Sequence, residues 1–172
     1  MPTIITPPIP FDEVYRLYAD RVHRFCRSQL GAEETAEDLT ADVFLAAHRS
    51  YERVRPDPAT VHVWLFRIAR NLAIDRSRRQ KRFLGLLPRL AQSGGETVED
   101  TVEVRDELRR ALDVLRQLSP RDRSIVGLRV AGDLSFAEIG VILKISEHAA
   151  SMACRRSLKR VREAVTAEGG EA

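Results

Sequence analysis

Apolar residues recur three and four positions apart through most of this chain, and that spacing places them on one face of an α-helix. The first stripe runs through Phe11, Val14, Tyr15, Tyr18, Val22, Phe25 and Cys26. Comparable stripes follow within residues 33–51, 61–72 and 104–118. Only 6% of the residues are aromatic, which favours helices over a β-sandwich. The sequence therefore predicts an all-α fold.

A chain of 172 residues buries one modest core or two small ones, which excludes the large catalytic folds. The helical periodicity is interrupted after residue 82, where the sequence becomes Leu-rich, Gly-containing and acidic. We therefore expect two small helical domains, over residues 11–82 and 104–167, joined by a flexible linker over 83–103. A proline-rich arm over 1–10 and a short tail over 168–172 flank them.

The second predicted domain ends in a helix-turn-helix pattern. Ser135 and Glu138 have the spacing of a capping box at the start of a short helix over 136–143. After a tight turn, Ser146 can cap a last helix that runs to about residue 167. The residues expected to face inward in this pair of helices are Ile139, Ile142, Ile145, Ala150, Cys154 and Leu158.

Charge is sorted along the chain, although the net charge is only +3. Nine basic and two acidic residues lie within 53–82, and six basic residues and one acidic residue lie within 144–162. Residues 83–107 and 11–52 are acidic instead. Two separate cationic blocks are typical of a protein that contacts a polyanion at two places, although either block alone could be an ordinary solvated face.

Both cationic blocks fall on faces of predicted helices. On the third helix, Arg67, Asn71, Asp75 and Arg78 share a face opposite the apolar stripe. With the further arginines beside it, this face suits a nucleic-acid backbone. The last helix would turn a mixed polar set outward, with its first turns placed to enter a major groove. That set is Glu147, His148, Ser151, Met152, Arg155, Arg156 and Lys159.

The second predicted helix carries Asp38, Asp42 and Leu45 on a face other than its core stripe, with Phe44 adjacent. Carboxylates mixed with exposed apolar side chains favour a protein-docking patch, although single exposed apolar residues are ordinary. The sequence thus predicts a third surface with a different kind of partner.

Nothing in the sequence predicts catalysis. It holds no Ser-His-Asp set, no phosphate-binding loop and no carboxylate pair in an apolar setting. We therefore expect neither an enzyme nor a cofactor, and no metal site, because His23 and Cys26 have no second Cys/His pair nearby. The chain lacks a secretion signal and an apolar run near the ~20 residues that span a bilayer, so we expect a cytoplasmic protein without membrane insertion.

Four segments resemble the extracytoplasmic-function (ECF) class of bacterial RNA polymerase sigma factors. They are AEDLTADVFL at 36–45, WLFRIARNLAID at 64–75, LSPRDR at 118–123 and LSFAEIG at 134–140. The resemblance implies a region 2 helical bundle and a region 4 helix-turn-helix. The turn departs from the family pattern, because Lys144 stands where glycine is usual. A positive φ at a lysine costs about 1 kcal/mol.

The resemblance also implies three sets of site residues. The second helix would dock on the clamp coiled coil of core polymerase through Asp38, Leu39, Asp42, Phe44 and Leu45. The third helix, with the loop 53–62, would hold the separated strand of the minus-10 element through Arg67, Arg70, Asn71, Arg76, Arg78 and Arg79. The last helix would read the minus-35 duplex through His148, Ser151, Met152, Arg155, Arg156 and Lys159.

The partners implied by the resemblance are bacterial RNA polymerase core and promoter DNA, with an anti-sigma factor as a regulator common in the family. The free protein is expected to be a monomer. Two other interpretations fit the residues. One is a helix-turn-helix regulator that acts without polymerase, and the other is a degenerate sigma-like interaction module whose last helix no longer reads DNA.

Overall fold

The computed structural model describes residues 9–30, 33–86 and 102–167, and its regular elements are all α-helices. They are α1 (Phe11–Leu30), α2 (Glu33–Val54), α3 (Val61–Leu86), α4 (Val102–Gln117), α5 (Pro120–Val130), α6 (Phe136–Leu143) and α7 (Glu147–Ala167). The prediction of an all-α fold is confirmed. Most of the predicted arm and linker, and the tail, lie outside the described residues. Among the helices described, none is both long and apolar enough to cross a bilayer.

The first three helices pack together because each buries the apolar stripe seen in the sequence. Phe25 of α1, Leu39 of α2 and Phe66 of α3 are at most 1% exposed. The rings of Phe25 and Phe66 meet edge to face with centroids 5.8 Å apart. Trp64 packs beside Tyr51 at the edge of this core, at a centroid distance of 5.9 Å. Trp64 therefore belongs to the core, as its place on the stripe predicted.

Local hydrogen bonds between side chains and backbone fix the starts of α5 and α6. The Ser119 hydroxyl accepts from the Asp122 N–H at 3.1 Å, and Pro120 occupies the first turn. The capping box of α6 is complete, because the Glu138 N–H donates to Ser135 Oγ at 3.2 Å and the Ser135 N–H donates to Glu138 Oε2 at 2.7 Å. Both caps were predicted from the sequence.

The turn between α6 and α7 is tight. Lys144 adopts φ 56° and ψ 50°, in the left-handed region, as expected. The N–H groups of Lys144 and Ile145 both donate to the Gly140 carbonyl. A Cβ at Gly140 would lie 2.7 Å from the Ile145 carbonyl oxygen, so this close approach requires glycine. The Ser146 hydroxyl then accepts from the Ala149 N–H at 3.1 Å and caps α7.

The two halves of the chain are in direct contact, which the sequence did not predict. Arg21 of α1 donates to the Gly132 carbonyl through Nε, at 3.1 Å, and through Nη2. The Gln29 side-chain amide donates to the Arg123 carbonyl at 3.2 Å, and Arg123 Nη1 donates back to the Gln29 carbonyl at 3.0 Å. Further contacts join α1 to α4 and α3 to α6. Within the described residues, the two halves are thus packed directly against each other.

We predict that Lys144→Gly raises the free energy of unfolding by about 0.5–1 kcal/mol, because glycine adopts a positive φ without strain from a Cβ. Lys144→Ala is the matched control, since it removes the same side chain but keeps the Cβ, and it should stay within about 0.5 kcal/mol of wild type. Urea unfolding followed by circular dichroism measures both. Equal stability of the two variants would contradict the strain assigned to this turn.

Candidate nucleic-acid interface

The outer face of α3 is cationic. Arg67, Arg78 and Arg79 are exposed on it, and none of them has an ion pair within the described residues. Asn71 is exposed one turn after Arg67 on the same face. The structure therefore exposes four of the predicted minus-10 side chains along α3, with Asp75 exposed among them, and we call this surface the α3 face.

Arg70 is half-buried beside the α3 face. Its Nε is buried and has no hydrogen-bond acceptor among the residues described. Burial lowers the pKa of the Arg70 guanidinium, and the positive charge of Arg78 lowers it further. An anion bound beside Arg70 and Arg78 would relieve the repulsion between the two arginines. The electrostatics of this position thus favour an anionic ligand.

Arg76 lies next to two carboxylates of α2. Its Nη2 lies 3.3 Å from Asp38 Oδ2 and its Nη1 lies 3.6 Å from Asp42 Oδ2. The Arg76 side chain is 31% exposed, so it bridges α3 to α2 at the edge of the bundle. Arg76 thus also links α3 to α2 through ion pairs with exposed carboxylates, and its assignment to the minus-10 surface stays a prediction.

The exposed face of α2 is acidic with one large apolar residue. The side chains of Asp38 and Asp42 are 68% and 60% exposed, and Leu45 is 49% exposed. We call these three residues the α2 patch. The prediction that Leu39 and Phe44 also face a partner is wrong. They are only 1% and 6% exposed because they belong to the apolar stripe that packs into the core.

Tyr15 was placed on the buried stripe of α1 by its spacing, yet it is 51% exposed. Its ring contacts the Phe44 ring with centroids 4.8 Å apart, next to the α2 patch. A groove between α1 and α2 begins at these two rings and is also lined by Asp20, Glu37 and Thr40. The groove extends the α2 patch with an aromatic surface and further carboxylates, and Tyr15 is the residue that sequence reasoning missed.

The outward side of α7 is exposed as predicted. It carries His148, Met152, Arg155, Arg156 and Lys159, with Ser151 half-buried among them. Lys159 pairs with the exposed Glu163 one turn later, at 3.6 Å. Such an exposed pair is easily exchanged for another anion. We call this basic surface the α7 face.

The inward side of α7 differs from the prediction at three positions, Ala153, Ser157 and Leu158. Ala150, Ala153 and Cys154 are buried, and Ser157 is only 3% exposed, whereas Leu158 is 38% exposed. Expecting Leu158 to face inward was wrong, because the three-and-four spacing continues from Cys154 to Ser157.

The first turn of α3 connects the loop 53–62 to the second half of the chain. His62 Nε2 lies 2.5 Å from Glu138 Oε1, and the His62 ring stacks on Tyr18. Burial opposes ionisation of Glu138, but hydrogen bonds from the Ser135 N–H, His62 and the Ser135 hydroxyl outweigh it and hold the Glu138 pKa below its usual value. The end of the loop predicted to contact the minus-10 element is thus bonded to α6.

Both cysteines are buried free thiols. Burial raises the pKa of the Cys26 thiol to about 11, although a hydrogen bond with Thr40 and the charge of Arg76 oppose the rise. Burial also raises the pKa of Cys154. The described residues contain no group of three or more His, Cys, Asp or Glu side chains that could hold a metal ion.

Two family models match the chain. Sigma-70 region 2 matches residues 14–83, and sigma-70 region 4 matches residues 114–163. The ECF RNA polymerase sigma factor BldN of Streptomyces coelicolor is 34% identical over 148 residues, which are 81% of this chain. The chain spans only 54% of the length of BldN.

Two further relatives are matched over most of their own length. The RNA polymerase sigma factor CarQ of Myxococcus xanthus is 32% identical over 89% of this chain and 87% of CarQ. The ECF RNA polymerase sigma factor SigL of Mycobacterium tuberculosis is 31% identical over 78% of this chain and 76% of SigL.

The fold is similar to that of the sigma factor RpoE, solved in complex with the anti-sigma factor NepR from Bartonella quintana. The TM-score is 0.71 at 19% identity, covering 91% of this chain and 96% of that one. The two family models cover the elements that carry the α2 patch, the α3 face and the α7 face. The chain belongs to the ECF class of RNA polymerase sigma factors.

Proposed function

We propose that this protein binds core RNA polymerase and directs it to promoters, where it promotes strand opening and the initiation of transcription. The observation that carries the proposal is the presence of two exposed cationic surfaces, the α3 and α7 faces, together with an acidic and apolar α2 patch. A regulator that acts on DNA without polymerase needs the cationic surfaces, but it has no evident use for the α2 patch.

We assign the α3 face, together with Arg70, to the separated strand of the minus-10 element. Strand opening requires bases to be held out of the stack, at a cost of a few kcal/mol that protein contacts must offset. Guanidinium groups neutralise phosphates and stack on unpaired bases. Arg70 is half-buried beside this face, so an interaction there displaces less water than one at the exposed arginines.

We assign the α7 face to the duplex of the minus-35 element. His148, Ser151 and Met152 lie in the first two turns, where side chains of a recognition helix reach base edges in the major groove. Arg155, Arg156 and Lys159 lie farther along, where they neutralise phosphates and fix the register of the helix. On α7, the first turns are thus assigned to base contacts and the later turns to phosphate contacts.

We assign the α2 patch to core polymerase. Its two carboxylates and Leu45 fit a partner surface that presents basic groups around an apolar contact. Since RpoE has been solved with an anti-sigma factor, we extend the proposal to an anti-sigma partner for this chain as well. A factor with these partners acts in the cytoplasm, where polymerase meets the chromosome.

Transcription from genomic fragments tests the proposal directly. Core polymerase with this protein should produce transcripts with defined start sites that core alone does not produce. The triple change Arg155→Ala, Arg156→Ala and Lys159→Ala should reduce them by at least about tenfold, because each cation removed leaves a phosphate unneutralised and weakens promoter binding. No specific transcripts, combined with tight duplex binding by the protein alone, would favour the polymerase-independent regulator. Undiminished transcripts from the triple variant would favour a last helix that no longer reads DNA.

The α2 patch gives a second prediction. Asp38→Ala with Asp42→Ala should weaken binding to core polymerase by roughly tenfold, because both carboxylates are removed from the docking surface. Arg76→Ala is the matched control, since it breaks the same internal ion pairs but keeps both carboxylates, and it should change the affinity by less than about twofold. Equal reductions in the two proteins would place the effect in the bridge between α2 and α3 and would contradict the docking assignment.

The α3 face gives a third prediction. Arg78→Ala with Arg79→Ala should lower the slope of log affinity against log salt by about 0.7–0.9 for each phosphate that the protein no longer neutralises. The measurement is binding of the polymerase complex to a promoter fragment over a range of salt concentrations. Arg24→Ala removes an exposed arginine of α1 whose partner is Asp20, and it should leave the slope unchanged. An unchanged slope in the double variant would show that Arg78 and Arg79 do not neutralise phosphates in the complex.

A further inference from the structure

Arg76 lies between the α2 patch and the α3 face and is paired with the acidic groups of the α2 patch. Its Nη2 is 3.3 Å from Asp38 Oδ2, and its Nη1 is 3.6 Å from Asp42 Oδ2. The two carboxylates are one turn apart on α2, so a single guanidinium group reaches both of them with different nitrogens. Along α3, Arg76 comes shortly before Arg78 and Arg79 of the α3 face. One side chain thus joins the two surfaces that we assign to different partners.

These ion pairs are at the surface and open to competing partners. The Arg76 side chain is 31% exposed, and those of Asp38 and Asp42 are 68% and 60% exposed. Exposed ion pairs contribute little to stability, and either member readily takes another partner. Both carboxylates have room for a second cation, and we have assigned them to basic groups of core polymerase. Docking on polymerase would therefore disturb the pairs that Arg76 makes in the free protein.

The charges around Arg76 oppose its binding to a phosphate in the free protein. Two carboxylates against one guanidinium group leave this edge of the first bundle with a net negative charge. A phosphate that approaches Arg76 also meets Asp38 and Asp42, because both are much closer to Arg76 than the screening length of about 8 Å at physiological salt. Basic groups of a partner on the two carboxylates would reverse the sign of the charge at this edge.

The exposed arginines of the α3 face are not masked in this way. Arg67, Arg78 and Arg79 have no carboxylate partner within the described residues. Their availability to DNA is therefore the same with and without polymerase, whereas that of Arg76 depends on what occupies the two carboxylates. Arg79 is the best comparison, since it is exposed and follows Arg76 by one turn of the same helix.

We propose that Arg76 exchanges partners when the factor joins core polymerase. In the free protein it is paired with Asp38 and Asp42. In the complex, basic groups of polymerase take over the two carboxylates, and Arg76 binds a phosphate of the separated minus-10 strand. This inference rests on the proposed function, and it couples the α2 patch to the α3 face. Because coupling between two binding sites is reciprocal, promoter DNA strengthens docking on polymerase by the same factor.

The first test uses the free full-length protein and a labelled single-stranded oligonucleotide of thymidines, which supplies phosphates without a promoter sequence. Arg76→Gln removes the charge and keeps a polar side chain of similar length. It should leave the slope of log affinity against log salt unchanged, because Arg76 contacts no phosphate in the free protein. Arg79→Gln is the matched control, and it should lower the slope by about 0.7, the value for one phosphate of a single strand.

Neutralising the two carboxylates should imitate docking on polymerase. Asp38→Asn with Asp42→Asn keeps the size of both side chains but removes their charges, so Arg76 becomes available to the oligonucleotide. The slope for the free protein should then rise by about 0.7. The same double change combined with Arg76→Gln should not raise the slope, because no masked cation is left to release. Circular dichroism establishes that each variant keeps its helices.

The second test uses the complex with core polymerase on a promoter fragment. There, Arg76→Gln should lower the slope by about 0.7–0.9, as much as Arg79→Gln does, because each change now removes one phosphate contact. The promoter fragment should also raise the affinity of the wild-type factor for polymerase by about two- to fivefold more than it does for the Arg76→Gln variant. That factor corresponds to the contribution of an exposed ion pair.

The outcomes separate this inference from the proposed function. An effect of Arg76→Gln on the slope that is the same with and without polymerase, or absent from both, would overturn the exchange. A slope that Asp38→Asn with Asp42→Asn fails to raise in the free protein would also overturn it. Loss of helical signal in the Arg76→Gln variant would show that the ion pairs hold α2 to α3, and it would count against the exchange.

The free-protein measurements need no polymerase. A wild-type protein that fails to bind core polymerase would therefore overturn the proposed function, while a raised slope in the Asp38→Asn, Asp42→Asn variant would still support the masking of Arg76 by the two carboxylates.

Discussion

Removing a guanidinium group from water is costly unless its N–H groups find acceptors, and this constraint sorts the arginines of the chain. Arg21 and Arg123 find backbone carbonyls across the boundary between the two halves, and Arg76 finds two carboxylates on α2. These three build the fold. Arg67 and Arg155 stay in water, and they belong to the surfaces assigned to DNA. An arginine in this chain thus stabilises the fold where it has an acceptor within the protein, and it is available to bind DNA where it is exposed to water.

Features that depend on neighbouring residues could be predicted from the sequence. The caps of α5, α6 and α7, and the positive φ of Lys144, follow from side chains within a few positions of the helix ends. The apolar stripe of α2 could also be predicted from its spacing, but the sequence did not show how wide the buried face of that helix is. Phe44 was therefore assigned to a partner surface, whereas its side chain is buried in the core and only 6% exposed.

The contact between the two halves could not be predicted from the sequence. Its hydrogen bonds are accepted by backbone carbonyls, which every residue has, and the helices approach most closely at Gly127, which has no side chain. Gly127 is required because α1 packs against it, but the residues next to it in the sequence do not reveal this requirement. The partners Gln29 and Arg123 are 94 positions apart and carry no complementary charge. The ion pairs of Arg76 could not be predicted for a similar reason, since its carboxylate partners lie on another helix.

The burial of both cysteines limits how the factor could respond to its surroundings. A thiol reacts with oxidants and electrophiles as the thiolate, and at a pKa of about 11 the thiolate of Cys26 is scarce at neutral pH. Cys154 is also shielded, with a raised pKa. The chain has only these two cysteines. In the folded protein, neither thiol is therefore a ready target for an oxidant or an electrophile.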